Sequence, residues 1–255
     1  MDYRFALAGD PVAHSLSPAM HTAALRESGL TGSYELVRCD VDGFRDLVDR
    51  LRKGEYAGLN ITMPHKGAAH QVSDRLTPEA AKAASVNTLR AEDGSIHGHS
   101  SDVVAFKEAF GALGGPSRII LMGAGGSARA ALVAFAGEVH VWGRNPDRVE
   151  KFVADRGSAV RTLRDRPPAG YVLINCTPLG MKGEVLPEGL VESAAGLVDL
   201  PYGPGQTPAV TAAREAGIPV VEGLWFLAVQ AAESFHWWTG VEVSVDTMVD
   251  AARNV

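Results

Sequence analysis

The chain has 255 residues, 46% of them hydrophobic and 21% charged, with a formal net charge of −6. This length allows two domains with buried cores, and the acidic balance argues against a nucleic-acid partner, which would require excess basic side chains. The sequence shows neither a charged leader before an apolar stretch nor an apolar run of membrane-spanning length, so we expect a cytoplasmic protein without membrane contacts.

The first hundred residues predict alternating strands and helices, a pattern typical of an α/β sheet. The helix beginning at its N-cap Ser17, with Pro18 at the first helical position, and the helix after Thr77 both carry N-terminal capping signals. Asp93 and Gly94 predict a hairpin turn. In chain order the predicted elements are strand 4–10, helix 17–29, strand 33–41, helix 41–54, strand 56–62, helix 65–74, helix 77–84 and hairpin 85–100.

A second series of elements follows Ser101 and predicts a doubly wound domain. The C-terminal segment has apolar positions at helical spacing, and we expect it to pack on one of the two domains, with Trp237 and Trp238 in the core. The predicted elements are helix 102–114, strands 118–123, 138–144, 171–177 and 196–200, Ala-rich helices between the earlier strands, and helices 226–240 and 244–255.

The cysteines and histidines predict neither a disulfide nor a metal site. Cys39 and Cys176 are far apart in predicted strands, so we expect thiols in a reducing compartment. His97 and His99 lack a third ligand at a suitable spacing and are interpreted as strand or turn residues.

A glycine-rich turn indicates a dinucleotide site. Gly123, Gly125 and Ala128 follow a predicted strand and open a predicted helix, whose free N–H groups suit a pyrophosphate. A tight turn without a ligand is the alternative. Where an NAD enzyme usually has an acid for the ribose, this chain has Arg144 and Arg148, and guanidinium groups favour the 2′-phosphate of NADP. Solvated surface arginines are one alternative, and Asp147 placed at the ribose by a shifted loop is another.

Polar side chains in the first half suggest a second site. Ser15 and Ser17 precede a predicted helix and could hold one anion, such as a substrate carboxylate, although Ser17 alone is typical of an N-cap. Lys66 follows a strand end and could donate a proton beside an acid such as Asp102, with Asn87 as an amide partner. A surface lysine and an N-capping aspartate are the alternatives, since spacing does not bring these residues together.

The order of several sequence blocks resembles the shikimate dehydrogenase family over nearly the whole chain. The blocks are GDPVAHSLSPAMH, NITMPHK, SVNTL, SSD, GAGGSARA, INCTPLGM, DLPYGPGQTP and QAAESFHWWTG. The resemblance implies a two-lobed α/β protein. A substrate domain, residues 1–101 completed by helices within 226–255, would meet a Rossmann-type, doubly wound NADP-binding domain, residues 102–225, at a cleft.

The resemblance also implies a reaction, the NADPH-dependent reduction of the C3 ketone of 3-dehydroshikimate to shikimate in aromatic amino acid biosynthesis. Lys66 and Asp102 would form the proton-transfer pair, and we expect a monomer or homodimer without metal. The implied substrate contacts are Ser15, Ser17, Asn60, Thr62, Asn87, Tyr202 and Gln230. The implied cofactor contacts are Gly123, Ala124, Gly125, Gly126, Ser127, Ala128, Arg144, Asn145, Arg148, Thr177, Leu179, Met181 and Gly223.

Three departures from the family pattern leave alternatives open. Ser100, Ser101 and Val103 flank Asp102 where the family usually has Asn-Thr-Asp-Gly, and Gly143-Arg144-Asn145 stands where it has Asn-Arg-Thr. The pair Trp225-Phe226 replaces Gly-Met. A related enzyme acting on quinate or an aminated analogue, possibly with NAD, is one alternative, and an inactive nucleotide-binding or regulatory protein is the other.

Overall fold

The computed structural model describes residues 2–154, 156, 158–164, 169–203 and 205–255. The chain divides into two compact units, Met1–Ala105 with Leu227–Val255 and Phe106–Phe226. Both units combine helices with a sheet, so the predicted α/β class is confirmed. Among the described residues, no helix is long and apolar enough to span a membrane.

The first unit contains a mixed sheet. Its strands are β1 (Tyr3–Gly9), β2 (Gly32–Arg38), β3 (Gly58–Ile61), β4 (Arg75–Leu76), β5 (Thr88–Glu92) and β6 (Ser95–His99), in the spatial order β2-β1-β3-β5-β6-β4. Strand β1 pairs in parallel with β2 and β3, whereas β5 is antiparallel to both β3 and β6. The carboxyl ends of β1 and β3 therefore meet at one edge, where the following loops can share a site.

Helices cover this sheet and begin at defined residues. They are α1 (Ser17–Glu27), α2 (Val41–Arg52), α3 (Lys66–Val72), α4 (Pro78–Ala83), the first turns of α5 (Ser101–Ala112), most of α9 (Gly223–Thr239), and α10 (Val245–Arg253). Helix α2 buries Phe44, Leu47, Val48 and Leu51, which recur at helical spacing. They join a core with residues of the sheet, and this packing holds α2 against the strands.

Local signals explain most of these boundaries. The side chain of Thr77 accepts a hydrogen bond from Ala80 N, which confirms the predicted cap of α4. Asp93 and Gly94 have φ of 50° and 75°, as a hairpin turn with two left-handed residues requires. The prediction that Ser17 is the N-cap is wrong. Leu16, which has helical dihedrals, is the N-cap, and Ser17 is the first residue of the helix. The side chain of Leu16 makes no capping hydrogen bond.

The C-terminal residues from Leu227 onward group with the first unit. Trp238 stacks on Phe5 with ring centroids 4.6 Å apart, and its Nε1 donates to Leu89 O at 3.0 Å. Trp237 stacks on His99 at 5.3 Å. Both tryptophans are half-buried within this unit, so they extend its core.

The second unit contains a parallel sheet. Its strands are β7 (Arg118–Met122), β8 (Glu138–Trp142), β9 (Val160–Thr162), β10 (Tyr171–Asn175), β11 (Ala194–Asp199) and β12 (Val220–Glu222), in the order β12-β11-β10-β7-β8-β9. All five pairings are parallel. The order reverses between β7 and β10, which is the arrangement of a Rossmann fold and confirms the doubly wound prediction. Its other helices are α6 (Gly126–Ala134), α7 (Pro146–Ala154) and α8 (Pro208–Glu215).

Candidate functional site

Lys66 and Asp102 lie in contact in the first unit. Lys66 Nζ donates a hydrogen bond to Asp102 Oδ2, and the two side chains are only 16% and 6% exposed. Lys66 is the first residue of α3, and Asp102 lies in the first turn of α5 rather than at its cap. The structure thus confirms the contact between amine and carboxylate, and Lys66 is not the solvated surface lysine that was the alternative.

His65 anchors the backbone immediately before Lys66. Its ring is buried and stacks on Phe44 with centroids 5.0 Å apart, and its Nε2 lies 2.9 Å from Cys39 O. His65 N also donates to Thr62 O at 2.9 Å, closing the turn between β3 and α3. The start of α3, and with it the base of the Lys66 side chain, is therefore fixed by core contacts.

Asn87 connects the acid to a neighbouring amide. Asn87 Nδ2 lies 3.0 Å from Asp102 Oδ1 and 3.1 Å from Gln230 Oε1. Asn87 Oδ1 accepts from Ser101 N at 2.9 Å, which fixes the amide orientation. The structure therefore brings together four of the predicted residues, Lys66, Asn87, Asp102 and Gln230, on β5, α3, α5 and α9 and the turns next to them.

Asn60 lies deeper than its predicted role as a substrate contact implies. It is 4% exposed, and its Oδ1 accepts from Tyr34 OH at 2.8 Å. Its Nδ2 donates to Ser234 Oγ at 3.0 Å. Its neighbour Thr62 is half-buried at the end of β3. Tyr34 and Ser234 carried no recognisable signal, because single hydroxyls in a strand and a helix fit no motif.

Ser15 and Ser17 form a hydroxyl pair at the start of α1. Ser15 Oγ donates to Ser17 Oγ at 3.0 Å and accepts from Ser17 N at 3.2 Å. Two hydroxyls beside the N-terminus of a helix suit a carboxylate. One turn later, His21 is fully buried and stacks on Tyr34 at 4.3 Å. Burial lowers the pKa of His21 to about 3, with an opposing contribution from Asn60, so its ring is neutral at physiological pH.

The glycine-rich turn in the second unit has the backbone that a dinucleotide requires. Gly123 has φ of +106°, and a Cβ there would lie 3.3 Å from both Cys176 O and Thr177 Cγ2. Gly125 is the N-cap of α6, and apart from its two chain neighbours no residue has an atom within 4 Å of the position of a Cβ. Ala128 is fully buried, so the helix packs closely on the sheet. The turn, which continues through Ala124, Gly126 and Ser127, leaves room for a pyrophosphate at a helix N-terminus and therefore fits the predicted cofactor.

Arginines follow the second strand of this sheet. Arg144 and Arg148 are exposed near the end of β8, and neither forms an ion pair with another described residue. Asn145 Oδ1 accepts from Arg148 N at 3.0 Å and so closes the first turn of α7. Asp147 is also exposed in that turn. The two guanidinium groups are thus available for an anion such as a phosphate.

A buried polar network fixes the loop after β10. Asn175 Oδ1 accepts from Thr177 N at 3.0 Å and from Thr177 Oγ1 at 2.6 Å, while Asn175 Nδ2 donates to Leu179 O at 2.9 Å. Asn175 Nδ2 also donates to Asp199 Oδ1 at 2.8 Å, and Thr207 Oγ1 donates to Asp199 Oδ2. Burial raises the pKa of Asp199, against the opposing effect of the Thr207 and Asn175 bonds.

The remaining predicted residues of the second unit differ in exposure. Met181 is 48% exposed, and Tyr202 is half-buried. At Gly223 a Cβ would lie 2.3 Å from Leu200 O, so this position excludes any side chain. Phe226 is buried, with its ring edge-on to Phe106 at 4.6 Å. The bulky ring at 226 is therefore accommodated inside the second unit.

The histidines and acids form no cluster suited to a metal among the described residues, which include both members of the His97/His99 pair. His99 Nε2 lies 2.9 Å from Glu233 Oε1, and His99 Nδ1 lies 3.3 Å from Thr77 Oγ1. The hydrogen bond from His99 lowers the pKa of Glu233. This histidine is a strand residue held by side chains of α9 and the α4 cap.

Comparisons with known proteins agree over nearly the entire chain. Residues 7–89 match the family model for the shikimate dehydrogenase substrate binding domain, and residues 223–253 match that for the shikimate 5'-dehydrogenase C-terminal domain. A curated "Shikimate dehydrogenase (NADP(+))" of Thermus thermophilus is 37% identical over 98% of this chain and 97% of its own length. Another, of Exiguobacterium sibiricum, is 34% identical over 93% of this chain and 92% of its own length.

Solved structures support the same relationship. A shikimate 5-dehydrogenase from Thermus thermophilus in complex with NADP(H) and shikimate has a TM-score of 0.86 and 34% identity, covering 99% of both chains. A 5-ketofructose reductase of a Gluconobacter strain has a TM-score of 0.84 at 23% identity, which shows a shared fold alone, and covers 100% of this chain and 99% of its own.

Proposed function

The chain belongs to the shikimate dehydrogenase family, and on this premise we propose that it is an NADP-dependent oxidoreductase acting on shikimate. The reaction converts shikimate and NADP⁺ to 3-dehydroshikimate, NADPH and a proton, and it is reversible. The observation that carries the proposal is the contact between Lys66 Nζ and Asp102 Oδ2 in a site where both side chains are at least four-fifths buried.

Lys66 is the proton donor for reduction of the ketone. When bound, the nicotinamide supplies the hydride chemistry. Negative charge develops on the substrate oxygen as its carbon is reduced, and the Lys66 ammonium stabilises that charge and then transfers a proton to the oxygen. In the direction of alcohol oxidation, the same pair receives the hydroxyl proton. Asp102 holds the ammonium in place through its Oδ2 and hydrogen-bonds a ring hydroxyl.

The remaining polar groups bind the carboxylate and hydroxyl groups of the shikimate ring. The hydroxyls of Ser15 and Ser17 bind the substrate carboxylate, supported by their location at the start of α1. Ring hydroxyls need paired donors and acceptors, which the amides of Asn87 and Gln230 supply. Asn60 and Thr62, at the end of β3, and Tyr202 complete the proposed substrate set.

The second unit holds the cofactor. The turn from Gly123 to Ala128 binds the pyrophosphate, as the space at Gly125 supports. Arg144, Asn145 and Arg148 bind the 2′-phosphate of NADP, for which the two exposed guanidinium groups after β8 are suited. Thr177, Leu179, Met181 and Gly223 form the proposed nicotinamide contacts, the first two being fixed by Asn175.

The test is a steady-state assay of the purified protein with shikimate or quinate and with NADP or NAD. We expect the highest kcat/KM with shikimate and NADP. A higher kcat/KM with quinate or with NAD would identify the related enzyme considered above, and nucleotide binding without turnover of either acid would identify an inactive protein. Either of these results contradicts the proposal.

The proposal also includes a cytoplasmic setting and a monomeric or homodimeric state. Cys39 and Cys176 do not form a disulfide. This agrees with a cytoplasmic setting, because a reducing compartment keeps cysteines as thiols. Multi-angle light scattering measures the oligomeric state, and a mass near that of a tetramer would contradict a monomer or homodimer.

A further inference from the structure

Ser234 occupies the centre of a buried polar network next to the Lys66–Asp102 pair. It lies on α9 and is 0% exposed. Four polar atoms lie within hydrogen-bond distance of its hydroxyl oxygen: Asn60 Nδ2 at 3.0 Å, Thr88 Oγ1 at 2.9 Å, Ser101 Oγ at 3.0 Å and Gln230 O at 2.8 Å. These atoms belong to residues on β3, β5, α5 and α9, so one hydroxyl connects four elements of the first unit.

The number of neighbours exceeds what a serine needs for its own satisfaction. A hydroxyl has one donor hydrogen and two acceptor lone pairs, and a buried serine in a helix is commonly satisfied by one bond to the carbonyl four residues earlier. Ser28, the half-buried C-cap residue of α1, bonds only carbonyls of its own helix, Ala24 O at 2.7 Å and Leu25 O at 3.1 Å. Ser234 has the same bond to Gln230 O, and in addition it accepts from Asn60 Nδ2 and meets two hydroxyls.

The network leads from Ser234 to the catalytic carboxylate through Ser101 and Asn87. Ser101 Oγ lies 2.9 Å from Asn87 Nδ2, and Ser101 N donates to Asn87 Oδ1 at 2.9 Å. Both polar ends of the Asn87 amide are thus held by one serine. The same Nδ2 lies 3.0 Å from Asp102 Oδ1, so the orientation of this amide also sets the contact with the acid.

The Ser101 hydroxyl needs an acceptor for its own hydrogen. Asn87 Nδ2 has two hydrogens but three neighbouring acceptors, Ser101 Oγ, Asp102 Oδ1 and Gln230 Oε1, at 2.9, 3.0 and 3.1 Å. When Ser101 Oγ accepts one of them, its own hydrogen must point elsewhere, and Ser234 Oγ at 3.0 Å is closer than Gln230 Oε1 at 3.4 Å. Ser234 Oγ donates to Gln230 O and accepts from Asn60 Nδ2, so one lone pair remains. That lone pair accepts the Ser101 hydrogen when Thr88 Oγ1 donates to Asn87 Oδ1, 3.4 Å away.

We propose that Ser234 is a positioning residue that sets the orientation of Asn60 and, through Ser101, of Asn87 and Asp102 for the reaction. This inference rests on the proposed function, because it concerns the same substrate site. Without the hydroxyl, Asn60 Nδ2 keeps only longer contacts, at 3.3 Å to Asn87 O and 3.4 Å to Thr88 Oγ1. The side-chain amides of Asn60 and Asn87 are then held less firmly. Small displacements of groups that position a bound substrate lower the rate at which it reacts.

The experiment compares Ser234→Ala with Ser28→Ala, which removes a matched hydroxyl distant from the network. For both variants and the unsubstituted protein, kcat and KM are measured for shikimate and NADP, normalised to the concentration of NADP-binding sites. We expect Ser234→Ala to lower kcat about tenfold, equivalent to loss of one ordinary hydrogen bond in the transition state, with KM for NADP within about twofold. Ser28→Ala should keep kcat unchanged.

The result that overturns the inference is a folded Ser234→Ala protein whose kcat stays within about twofold of the unsubstituted enzyme, because a serine with a merely structural role affects the melting temperature only. If Ser234→Ala gives no folded protein, Thr88→Val takes its place under the same criterion, since it removes the hydroxyl 2.9 Å from Ser234 Oγ and keeps the side-chain shape. An unsubstituted protein without shikimate turnover overturns the proposed function and this inference together; an active one with equally active variants overturns this inference alone.

Discussion

Replacing Lys66 by Met removes the ammonium group and keeps most of the side-chain volume. Asp102, with a side chain that is 6% exposed, then loses its cationic partner and keeps the bond from Asn87 Nδ2 at 3.0 Å. Loss of a proton donor typically lowers the rate about 10²- to 10⁴-fold, which corresponds to about 3 to 5 kcal/mol of transition-state stabilisation. We therefore expect kcat to fall at least about a hundredfold.

The same substitution also affects stability. Breaking a buried ion pair by removing one partner costs about 3 to 5 kcal/mol. The cost here should lie at or below the lower end, about 3 kcal/mol, because Lys66 is 16% exposed and Asn87 still bonds the carboxylate. Urea unfolding measures this difference. The exposed Lys82→Met on α4 is the matched control and should change neither stability nor rate.

The assay combines steady-state kinetics with calorimetric binding of shikimate. We expect kcat to fall far more than affinity, and the double variant with Asp102→Asn to be about as slow as the slower single variant, because the two groups act as one unit. Losses in kcat that add in the double variant, or a fall of less than about tenfold in Lys66→Met, would show that Lys66 is not the proton donor.

Gly123→Ala should lower the free energy of unfolding by about 1 to 3 kcal/mol and weaken NADP binding, because the new Cβ would have φ of +106° and contacts at 3.3 Å. The control Gly29→Ala, at φ +68° in open space, should lower the free energy of unfolding by less, and equal losses in urea unfolding would contradict this. Arg144→Ser should raise KM for NADP about tenfold or more and leave KM for NAD unchanged; an equal change for both would exclude 2′-phosphate recognition. Because burial raises the pKa of Asp199 above the ordinary 3.8, its contribution to stability is largest below pH 3.8 and is lost as the pH rises through the raised pKa. Asp199→Asn should therefore reduce the dependence of the unfolding free energy on acidic pH, measured by denaturation at a series of pH values, and an unchanged dependence would show that Asp199 does not cause it.

The sequence predicted those elements whose signals are local. Thr77 with Pro78 located the start of α4, and Asp93 with Gly94 located the hairpin between β5 and β6. Strand β4 has only two residues and β9 and β12 have three each, which is too short for a hydrophobic period, so these strands were missed. They form because neighbouring strands offer partners, as β6 does for β4.

Helix α8 was also missed, although Thr207 and Pro208 carry the same capping signal as α4. Thr207 accepts from Val210 N at 3.2 Å, as a cap should. The error at Ser17 has the opposite cause. A serine before a proline is typical of a cap, but the hydroxyl of Ser17 bonds Ser15 and the helix begins one residue earlier.

The site was predictable only where residue type and position already suggest chemistry. Lys66, Asn87 and Asp102 could be selected individually, yet their contact depends on tertiary pairing between β3, β5 and the start of α5. Ser234 was missed because its contact with Thr88 spans 146 residues of sequence. A helical serine between Glu233 and Phe235 gives no sign of such a connection.

The proposed reaction requires Lys66 and Asp102 to face the carbon that is oxidised while Ser15 and Ser17 hold the carboxylate. A crystal structure of the protein with shikimate tests it most directly. We predict the reacting C3 hydroxyl about 3 Å from Lys66 Nζ and the carboxylate at a similar distance from both serine hydroxyls. A ring bound in the opposite sense, with its carboxylate against Lys66, would exclude Lys66 as the proton donor to the C3 oxygen.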